Sequence, residues 1–445
     1  MSARLLFTCW PFDGHVFPQL SIANALRERG HDVAFHSGEA ARRHIEGEGF
    51  TFFGFDRVDE ARAYGDIQRL EAGMRHGSPP PRLLLRTFRS WLVETIPDQV
   101  ADLRVLMDRW QPDVLVADLA MWGPAVVSWE ADDIPVALST IFMGPLTPSA
   151  DAPPPGFGLV PPRGRAGRLA TAALTRVTEL LGTPLRRRVD AIRAEHGLAP
   201  MGCSVNAFTG RLPLYLVPSL PELDYGRRDV PAGVHYVGPC IWHPPEPAGT
   251  AAWLDGLPTD RPWVHVTEGT LSYGEPFLLQ AALRGLAGRP VEVIATTGRQ
   301  RDPAALGLAP PASNVHLTDW LSHGELLPRC RAIVTTGGMG TIMAALRCGV
   351  PLVIVPTTWD KPDNARRITE AGTGVRLAPR RCTPERLRAA VEEVLHDPSY
   401  AARAQRLARE LAAAPGPARA AELLVSLAPG PARPIAQATA DGGAR

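Results

Sequence analysis

Residues 334–377 read VTTGGMGTIMAALRCGVPLVIVPTTWDKPDNARRITEAGTGVRL, and this stretch decides the fold class. An apolar strand ending at Val334 leads into the glycine-rich turn 335–341, and a helix then runs to Gly349 before a second apolar strand at 352–355. A strand, a helix and a further strand form a βαβ unit, which builds a parallel sheet covered by helices. The stretch therefore predicts an α/β protein with a doubly wound sheet.

The same alternation runs through both halves of the chain. Apolar strands are predicted at 5–9, 31–35, 114–116 and 134–138, and again at 263–266, 291–296 and 315–317. We therefore predict two facing, doubly wound Rossmann-like domains with an interdomain cleft. The predicted division is a first domain at 1–217, a proline-rich linker at 218–258, a second domain at 259–428 and a disordered tail at 429–445. Because ligands bind beyond the carboxyl ends of such strands, the cleft is the predicted active site.

The composition is that of a globular protein, with 45% hydrophobic and 21% charged residues in a chain of 445. The net charge of +1 argues against binding to nucleic acid or to an anionic membrane. Six cysteines are scattered without metal-ligand spacing, so we expect a reducing cytoplasm and neither a metal site nor a disulfide framework. No apolar stretch reaches the roughly 18 residues of a membrane span, and the first residues lack the features of a signal peptide.

The glycines of the turn 335–341 allow the backbone to approach a ligand closely. The free N–H groups and the dipole of the following helix would attract an anion. The turn matches neither the phosphate-binding GxxxxGK[ST] motif nor the dinucleotide-binding GxGxxG motif. From these residues alone, diphosphate binding and a tight turn without a ligand stay equal alternatives.

The stretch 334–377 closely resembles the donor-binding signature of the UDP-glycosyltransferase-like superfamily, in particular bacterial enzymes that glycosylate macrolide, polyketide and enediyne-type natural products. A weaker resemblance covers nearly the whole chain and includes DGHVFPQLSIANALRERGHDV at 13–33 and NVHLTDWLSHGELLP at 314–328. It implies the GT-B fold, with the acceptor bound by the first domain and the nucleotide-sugar donor by the second. It also implies transfer of the sugar to a small-molecule aglycone with inversion at the anomeric carbon.

The resemblance further implies which residues bind the donor. Trp320 is expected to stack near the base, with the backbone at Leu321 or its neighbour reading the base edge. Asp360 and Lys361 are expected to hold the sugar hydroxyls, with Asn364 one helical turn further on. The residues implied at the diphosphate are Thr270, Thr336, Gly337, Gly338, Gly340 and Thr341.

Three residues depart from the pattern of the superfamily. Thr336 stands where a histidine usually contacts the diphosphate, and it carries no charge. Lys361 is the chain's single lysine and stands where glutamine is usual; it could bind a sugar hydroxyl, reach the β-phosphate or be a solvated charge. Ala344 stands where UDP-sugar enzymes often have a glutamate that binds both ribose hydroxyls. Because a 2′-deoxyribose loses less from that absence, we favour a dTDP-deoxysugar donor, with a UDP-hexose as the alternative.

A hydroxyl that attacks an anomeric carbon needs a base, and histidine titrates near neutrality. His15 follows the first strand and Asp118 ends a later parallel strand, so both are expected at the same sheet edge. A carboxylate there can orient the imidazole and stabilise its protonated form. Taken alone, a structural histidine and a helix-capping aspartate are alternatives. The resemblance of Gly14-His15 and Pro18 to the base motif of the superfamily favours catalysis.

The acceptor side is weakly encoded. Phe12, Trp122 and Phe142 are candidate pocket residues, although core packing is the alternative for each. The segment 144–168 is rich in proline and glycine and is predicted to be a mobile loop that could close over the acceptor. Because no Asp-x-Asp pair stands in a suitable loop, we expect no divalent metal ion and no cofactor besides the nucleotide-sugar co-substrate.

Two other functions stay open from the sequence. A nucleotide-sugar epimerase would use a similar scaffold but would need acid and base carboxylates in the cleft. A catalytically impaired GT-B partner protein would keep the fold and lose donor binding, which the departures at Thr336 and Ala344 allow. The expected partners are a small-molecule aglycone and a nucleotide sugar, with no nucleic acid, and the protein is expected to be a monomer or a homodimer.

Overall fold

The computed structural model describes residues 2–72, 81–245, 251–269, 275–299, 301–308 and 312–429. Within these ranges, the chain forms two sheets of parallel strands with helices on both faces. The sequence predicted this α/β architecture, because strands covered on both faces read as continuous apolar runs.

The strands of the first sheet are Arg4–Thr8 (β1), Asp32–Ser37 (β2), Thr51–Gly54 (β3), Val114–Asp118 (β4), Val136–Ser139 (β5), Leu214–Val217 (β6) and Val234–Tyr236 (β7). Their order across the sheet is β3-β2-β1-β4-β5-β6-β7. The helices are Asp13–Arg27 (α1), Glu39–Gly47 (α2), Glu60–Ala72 (α3), Pro81–Phe88 (α4), Ile96–Trp110 (α5), Trp129–Ala131 (α6), Gly164–Leu181 (α7), Thr183–Glu195 (α8) and Val205–Thr209 (α9). Successive side chains of β1 enter opposite cores: Leu5 and Phe7 pack on one face and Leu6 on the other.

The strands of the second sheet are Trp263–Thr267 (β8), Glu292–Thr296 (β9), Val315–Thr318 (β10), Cys330–Thr335 (β11), Leu352–Ile354 (β12) and Gly374–Arg376 (β13). Their order is β10-β9-β8-β11-β12-β13. The helices are Phe277–Leu286 (α10), His323–Leu326 (α11), Met339–Arg347 (α12), Lys361–Ala371 (α13), Pro384–His396 (α14), Pro398–Ala413 (α15) and Pro417–Val425 (α16).

Each sheet has a point at which the strand order reverses, between β1 and β4 in the first and between β8 and β11 in the second. A crevice opens beyond the carboxyl ends of the strands at such a point, and ligands bind there. Thr8 of β1 lies beside Ala117 of β4, so the loop after β1 meets Asp118. In the second sheet, Thr267 lies beside Thr335, which brings the loop after β8 to the glycine-rich turn.

Two elements differ from the predicted domain division. Strand β7 falls within the predicted linker 218–258, yet it pairs with β6 and completes the first sheet. Helix α16 falls within the predicted second domain, yet Ala421 and Leu424 pack into the core of the first sheet beside α1. Proline-rich composition therefore did not mark the end of the first sheet. The predicted tail lies, apart from Pro429, outside the described residues.

Candidate active site

His15 and Asp118 form a buried pair at the reversal point of the first sheet. His15 lies in the first turn of α1 and Asp118 is the last residue of β4. Nδ1 of His15 lies 2.8 Å from Oδ2 of Asp118. An ionised carboxylate can only accept hydrogen bonds, so Nδ1 is the donor and Nε2 is left as the basic nitrogen of the ring.

The Asp118 carboxylate is fixed by the backbone as well as by His15. Its side chain is 0% exposed. Oδ2 also accepts the Trp10 N–H at 3.0 Å, and Oδ1 accepts the Ala120 N–H at 2.8 Å. Each oxygen therefore has a donor whose position the fold determines, and the carboxylate can hold the imidazole in one orientation.

Aromatic rings surround His15. The ring of Phe12 lies 5.5 Å from the imidazole and that of Trp91 lies 6.5 Å away. Trp91 in turn meets Trp359 of the second domain edge to face at 5.6 Å. Trp359 has a backbone φ of 60°, which is uncommon for a large side chain. Trp91 and Trp359 were missed from the sequence, because nothing local indicates that they meet.

The predicted acceptor residues lie in two places. Phe12 is buried in the aromatic cluster beside His15, and Trp122 packs against the same cluster. Phe142 instead lines a separate small cavity with Tyr225, Arg227 and Arg367. The structure thus brings Phe12 to His15 and Trp122 to the aromatic cluster around Phe12, whereas Phe142 lines a cavity with residues of the second domain.

The glycine-rich turn has the close approach that its sequence predicts. Gly337 has a φ of 96°, and a Cβ atom there would lie 2.8 Å from the Ile354 side chain. Gly338 precedes α12 in extended conformation, so α12 begins at Met339. Gly340 is exposed and Thr341 is half-buried in the first turn of that helix. The Gly337 N–H lies 3.4 Å from Oγ1 of Thr335, whereas the N–H groups in the first turn of α12 have no acceptor within the helix and can bind an anion.

Thr336 is oriented differently from what its predicted role needs. Its side chain is buried, and Oγ1 donates to the carbonyl oxygen of Glu268 at 2.9 Å. This bond joins the two loops at the reversal point of the second sheet. The hydroxyl is therefore occupied by the backbone, and a ligand contact from Thr336 would come from its N–H.

Asp360 and Asn364 form a connected polar group at the start of α13. The amide of Asn364 donates to Oδ2 of Asp360 at 2.6 Å and to the carbonyl oxygen of Gly337 at 3.0 Å. Burial raises the pKa of Asp360 to about 6, while the hydrogen bond from Asn364 and the charge of Lys361 oppose that rise. Nζ of Lys361 lies 3.1 Å from Oγ1 of Thr357. Asp360 and Asn364 are thus joined to the glycine-rich turn.

The predicted base-binding residues follow β10. The Arg299 guanidinium lies 4.6 Å from the centroid of the Trp320 ring, a distance typical of a cation–π contact. Burial raises the pKa of Asp13, the first residue of α1, and the positive charge of Arg299 opposes that rise. Arg299 therefore lies near the start of α1. Leu321 is buried in the core of the second sheet and can offer a ligand only its backbone. Thr270, predicted at the diphosphate, lies outside the described residues.

Two carboxylates of the second domain were missed from the sequence. Glu268 is buried beside the glycine-rich turn, where it accepts from the Leu278 N–H at 3.0 Å and pairs with Arg301 at 2.7 Å. Asp363 is buried in α13, and its two carboxylate oxygens accept the N–H groups of Gly156 and Gly158. The segment 144–163 of the first domain is therefore attached to the helix that carries Asp360. The spacing of aspartates in 360–363 was the available signal, but it does not reveal a partner 205 residues away.

The described ranges contain no group of three or more histidine, cysteine, aspartate or glutamate side chains placed to hold a metal ion. None of the helices in the described part of the chain has the length and apolar character of a membrane-crossing segment.

Comparisons with known proteins show the family of the chain. A family model described as Erythromycin biosynthesis protein CIII-like, C-terminal domain, matches residues 282–427. The 4′-demethylrebeccamycin synthase of Lentzea aerocolonigenes is 36% identical over 432 residues, which are 96% of this chain and 100% of that protein.

Solved structures share the fold. The glycosyltransferase of kitacinnamycin aligns with a TM-score of 0.71 at 23% identity, covering 96% of this chain and 99% of that one. The glycosyltransferase VinC in complex with DTDP aligns with a TM-score of 0.66 at 24% identity, covering 96% and 99%. These likenesses confirm the predicted two-domain fold of the GT-B type.

Proposed function

The chain belongs to the bacterial natural-product glycosyltransferases with the GT-B fold and is a glycosyltransferase, and we propose that it inverts the anomeric carbon without a metal ion. The proposed donor is a dTDP-linked deoxysugar and the proposed acceptor is a hydroxyl of a small-molecule aglycone. The observation that carries the proposal is the buried contact of 2.8 Å between His15 and Asp118 at the reversal point of the first sheet.

His15 is the proposed base. As the acceptor oxygen forms its bond to the anomeric carbon, its proton passes to Nε2 of His15. Asp118 accepts from Nδ1 throughout and stabilises the imidazolium that forms. The bond between the anomeric carbon and the diphosphate oxygen breaks on the opposite face, and its electron pair leaves with the nucleoside diphosphate. Attack opposite to departure inverts the configuration.

The glycine-rich turn is the proposed site of the leaving diphosphate. The free N–H groups at the start of α12, together with the helix dipole, stabilise the negative charge that grows on the diphosphate. Gly337 and Gly338 let the backbone come close enough for these contacts, as the lack of room for a Cβ atom at Gly337 illustrates. Fixed backbone donors supply here what a divalent cation supplies in other transferases.

Asp360, Asn364 and Lys361 are the proposed sugar-binding residues. Asn364 uses its amide to hold the Asp360 carboxylate against the turn that carries the diphosphate. Asp360 can then accept hydrogen bonds from sugar hydroxyls, and Lys361 can donate to one or reach the diphosphate.

The dTDP assignment rests on Ala344 and on one structural relative. Ala344 packs in the apolar core of the second sheet, so no polar side chain at this position binds a ribose. The loss of binding caused by this missing contact is smaller for a deoxyribose, which lacks the 2′-hydroxyl. VinC, whose structure contains DTDP, shares the fold over 96% of this chain.

Nucleoside diphosphate release from a panel of dTDP- and UDP-sugars, with EDTA and a panel of aglycones, tests the proposal. The matched variants are His15→Ala and His31→Ala, because His31 lies at the opposite, amino-terminal edge of the sheet before β2. We expect release fastest with a dTDP-deoxysugar, lost in His15→Ala and kept in His31→Ala. Release with UDP-sugars alone would overturn the donor assignment and leave the base intact. Full activity of His15→Ala would overturn the mechanism.

A further inference from the structure

Trp91 lies in an irregular helical turn between α4 and α5. Residues Arg89–Val93 form a π-helical turn, in which the carbonyl oxygen of Arg89 accepts from the N–H of Glu94 at 2.9 Å. A π-helical turn is rare, and where it interrupts helical structure it is frequently found at a functional site. The backbone around Trp91 therefore makes this side chain a candidate for a role in the site.

The indole of Trp91 is buried, with only 6% of the residue exposed. Its Nε1–H has no hydrogen-bond acceptor in the part of the chain that the structure describes. Two other buried indoles are paired, since Nε1 of Trp10 donates to the Ala120 carbonyl at 3.0 Å. Likewise, Nε1 of Trp263 donates to the Pro258 carbonyl at 2.8 Å. Because a buried indole N–H normally finds a partner, the unpaired donor of Trp91 indicates a ligand that is not part of the chain.

Trp91 lies between the proposed base and the proposed sugar-binding residues. Its ring is 6.5 Å from that of His15 and 5.9 Å from that of Phe12. It also meets the ring of Trp359 at 5.6 Å, and Trp359 directly precedes Asp360. The acceptor hydroxyl has to come within hydrogen-bond reach of Nε2 of His15, so the acceptor must lie close to the indole of Trp91.

A chain of hydrogen bonds fixes the backbone of Trp91. Its carbonyl oxygen accepts from Oγ1 of Thr95, which in turn accepts from the NH₂ group of Gln99 at 2.9 Å. The amide oxygen of Gln99 accepts the N–H of Gly123 at 2.8 Å. Both polar side chains are buried, and Gly123 lies in the segment that follows Asp118. The position of Trp91 is therefore tied to the segment that carries the carboxylate of the dyad.

We propose that Trp91 binds the acceptor, with its indole N–H donating to a carbonyl oxygen that stands beside the hydroxyl to be glycosylated. This inference rests on the function proposed above, because it uses His15 as the base. An indole N–H can only donate, and it carries no charge to balance a buried carboxylate, so the partner is a neutral oxygen. The neighbouring rings of Phe12 and Trp359 favour an aromatic acceptor, since aromatic rings pack well edge to face.

The indole donates to the neighbouring oxygen rather than to the attacking one. Donation to the attacking oxygen would withdraw electron density from the lone pair that forms the new bond. A carbonyl group beside a phenol accepts a hydrogen bond from that phenol, which holds the proton that His15 has to remove. Donation from Trp91 to the carbonyl weakens this internal bond and leaves the proton free to pass to Nε2 of His15. Trp91 itself gives up no proton in the reaction.

Trp91→Phe keeps an aromatic ring and removes only the N–H side of the indole, and Trp263→Phe is the matched control. Trp263 is 5% exposed, its Nε1 is paired, and it begins β8 at the edge of the sheet away from the proposed site. The acceptor probes are ortho-hydroxybenzophenone and ortho-benzylphenol, in which a methylene group replaces the carbonyl. The rate of nucleoside diphosphate release is measured with each probe and the donor that the wild-type protein uses best.

We expect the wild-type protein to prefer ortho-hydroxybenzophenone. In Trp91→Phe, kcat/KM for this probe should fall about fivefold or more, whereas kcat/KM for ortho-benzylphenol should stay within about twofold. Trp263→Phe should leave both values unchanged. Equal losses with both probes in Trp91→Phe would show that the indole only packs and would overturn the proposal, as would a wild-type protein that prefers ortho-benzylphenol.

Thermal unfolding provides a measurement that does not need turnover. Trp263→Phe loses a paired N–H, so its unfolding midpoint should fall at least about 3 °C further than that of Trp91→Phe. With dTDP present, ortho-hydroxybenzophenone should raise the midpoint of the wild-type protein and of Trp263→Phe but not that of Trp91→Phe. An unchanged wild-type midpoint, or an equal rise in Trp91→Phe, would overturn the proposal. The expected pattern of midpoints in a protein that releases no nucleoside diphosphate would instead overturn the proposed function and keep the acceptor contact.

Discussion

Replacing Asp118 with asparagine tests the proposed dyad most directly. The carboxylate accepts from Trp10 N–H and His15 on one oxygen and from Ala120 N–H on the other. An asparagine has one carbonyl oxygen and one NH₂ group, so either orientation sets the NH₂ group against a backbone N–H. One buried donor is then left unsatisfied, which should lower the free energy of unfolding by about 1–3 kcal/mol.

The expected loss of activity follows from the same two orientations. If the carbonyl oxygen of the new asparagine accepts from His15 Nδ1, the tautomer is kept but the charge that stabilises the imidazolium is gone. A hydrogen bond to a charged group contributes about 1.5–3 kcal/mol, which corresponds to about a 10- to 150-fold loss of kcat. If the NH₂ group faces His15, the proton moves to Nε2 and the base is lost. The loss should then approach about 10⁴-fold, as in a serine protease triad.

The assay measures nucleoside diphosphate release at saturating donor and, separately, dTDP binding by calorimetry. Asp102→Asn is the matched control. Asp102 is also a buried aspartate of the first domain that accepts backbone N–H groups and lies 3.7 Å from a histidine, His36. The Asp102→Asn variant should lose a similar free energy of unfolding and keep kcat nearly unchanged. Neither variant should weaken dTDP binding.

Two results would refute this reasoning. An Asp118→Asn variant with kcat within about threefold of wild type would show that the carboxylate neither orients nor stabilises the base. Equal losses of kcat in Asp118→Asn and Asp102→Asn would show that the effect reports loss of stability rather than of catalysis.

Three further predictions concern the second domain. Burial raises the pKa of Asp360 to about 6, so the folded protein binds a proton more tightly than the unfolded chain. The stability that this group contributes should fall as the pH rises from about 4 through about 6. Asp360→Asn should therefore reduce the pH dependence of the denaturation midpoint over that window. Asp363→Ala removes the acceptor of two backbone N–H groups, so the rate of limited proteolysis within 144–163 should rise about tenfold or more. Asp397→Ala is the control, because Asp397 lies at an exposed helix start, and it should leave this rate unchanged. Thr336→Val removes the hydrogen bond to the Glu268 carbonyl and should lower the free energy of unfolding by about 1 kcal/mol. Its affinity for dTDP, measured by calorimetry, should stay within about threefold of the wild-type value. A larger loss of affinity would contradict the inward orientation of the hydroxyl.

The sequence allowed prediction of those features of the site that follow from strand direction. Parallel strands bring their carboxyl ends to one edge, so His15 after β1 and Asp118 at the end of β4 were expected to meet, and their side chains lie in contact. The turn at Gly337 was predictable for a similar reason, because glycine at that position permits a positive φ and a close approach. In both cases local chemistry and sheet geometry are sufficient.

Contacts that join the two domains could not be predicted in this way. The bond from Gly158 to Asp363 depends on how the two sheets face each other, which no strand or helix period encodes. Gly158 has a φ of 58°, and a Cβ atom there would lie 2.6 Å from the carbonyl oxygen of Pro362. A glycine in a loop is usually taken to indicate flexibility, whereas Gly158 allows the loop to pack closely against α13. The predicted mobile segment is consequently held at its middle.

Helix α7 shows the same limit at the level of a single element. The helical period of the sequence shows that one side of α7 is apolar, but it does not show whether that side faces the core or the solvent. The general rule that apolar faces turn inward is then used to choose the direction. That rule holds when burial against the core of the same chain is the largest available gain. On α7 the polar side finds Ser204 through Glu179, and the apolar side is left outward. The sequence therefore predicts that α7 has an apolar side, but it does not predict the direction in which that side points.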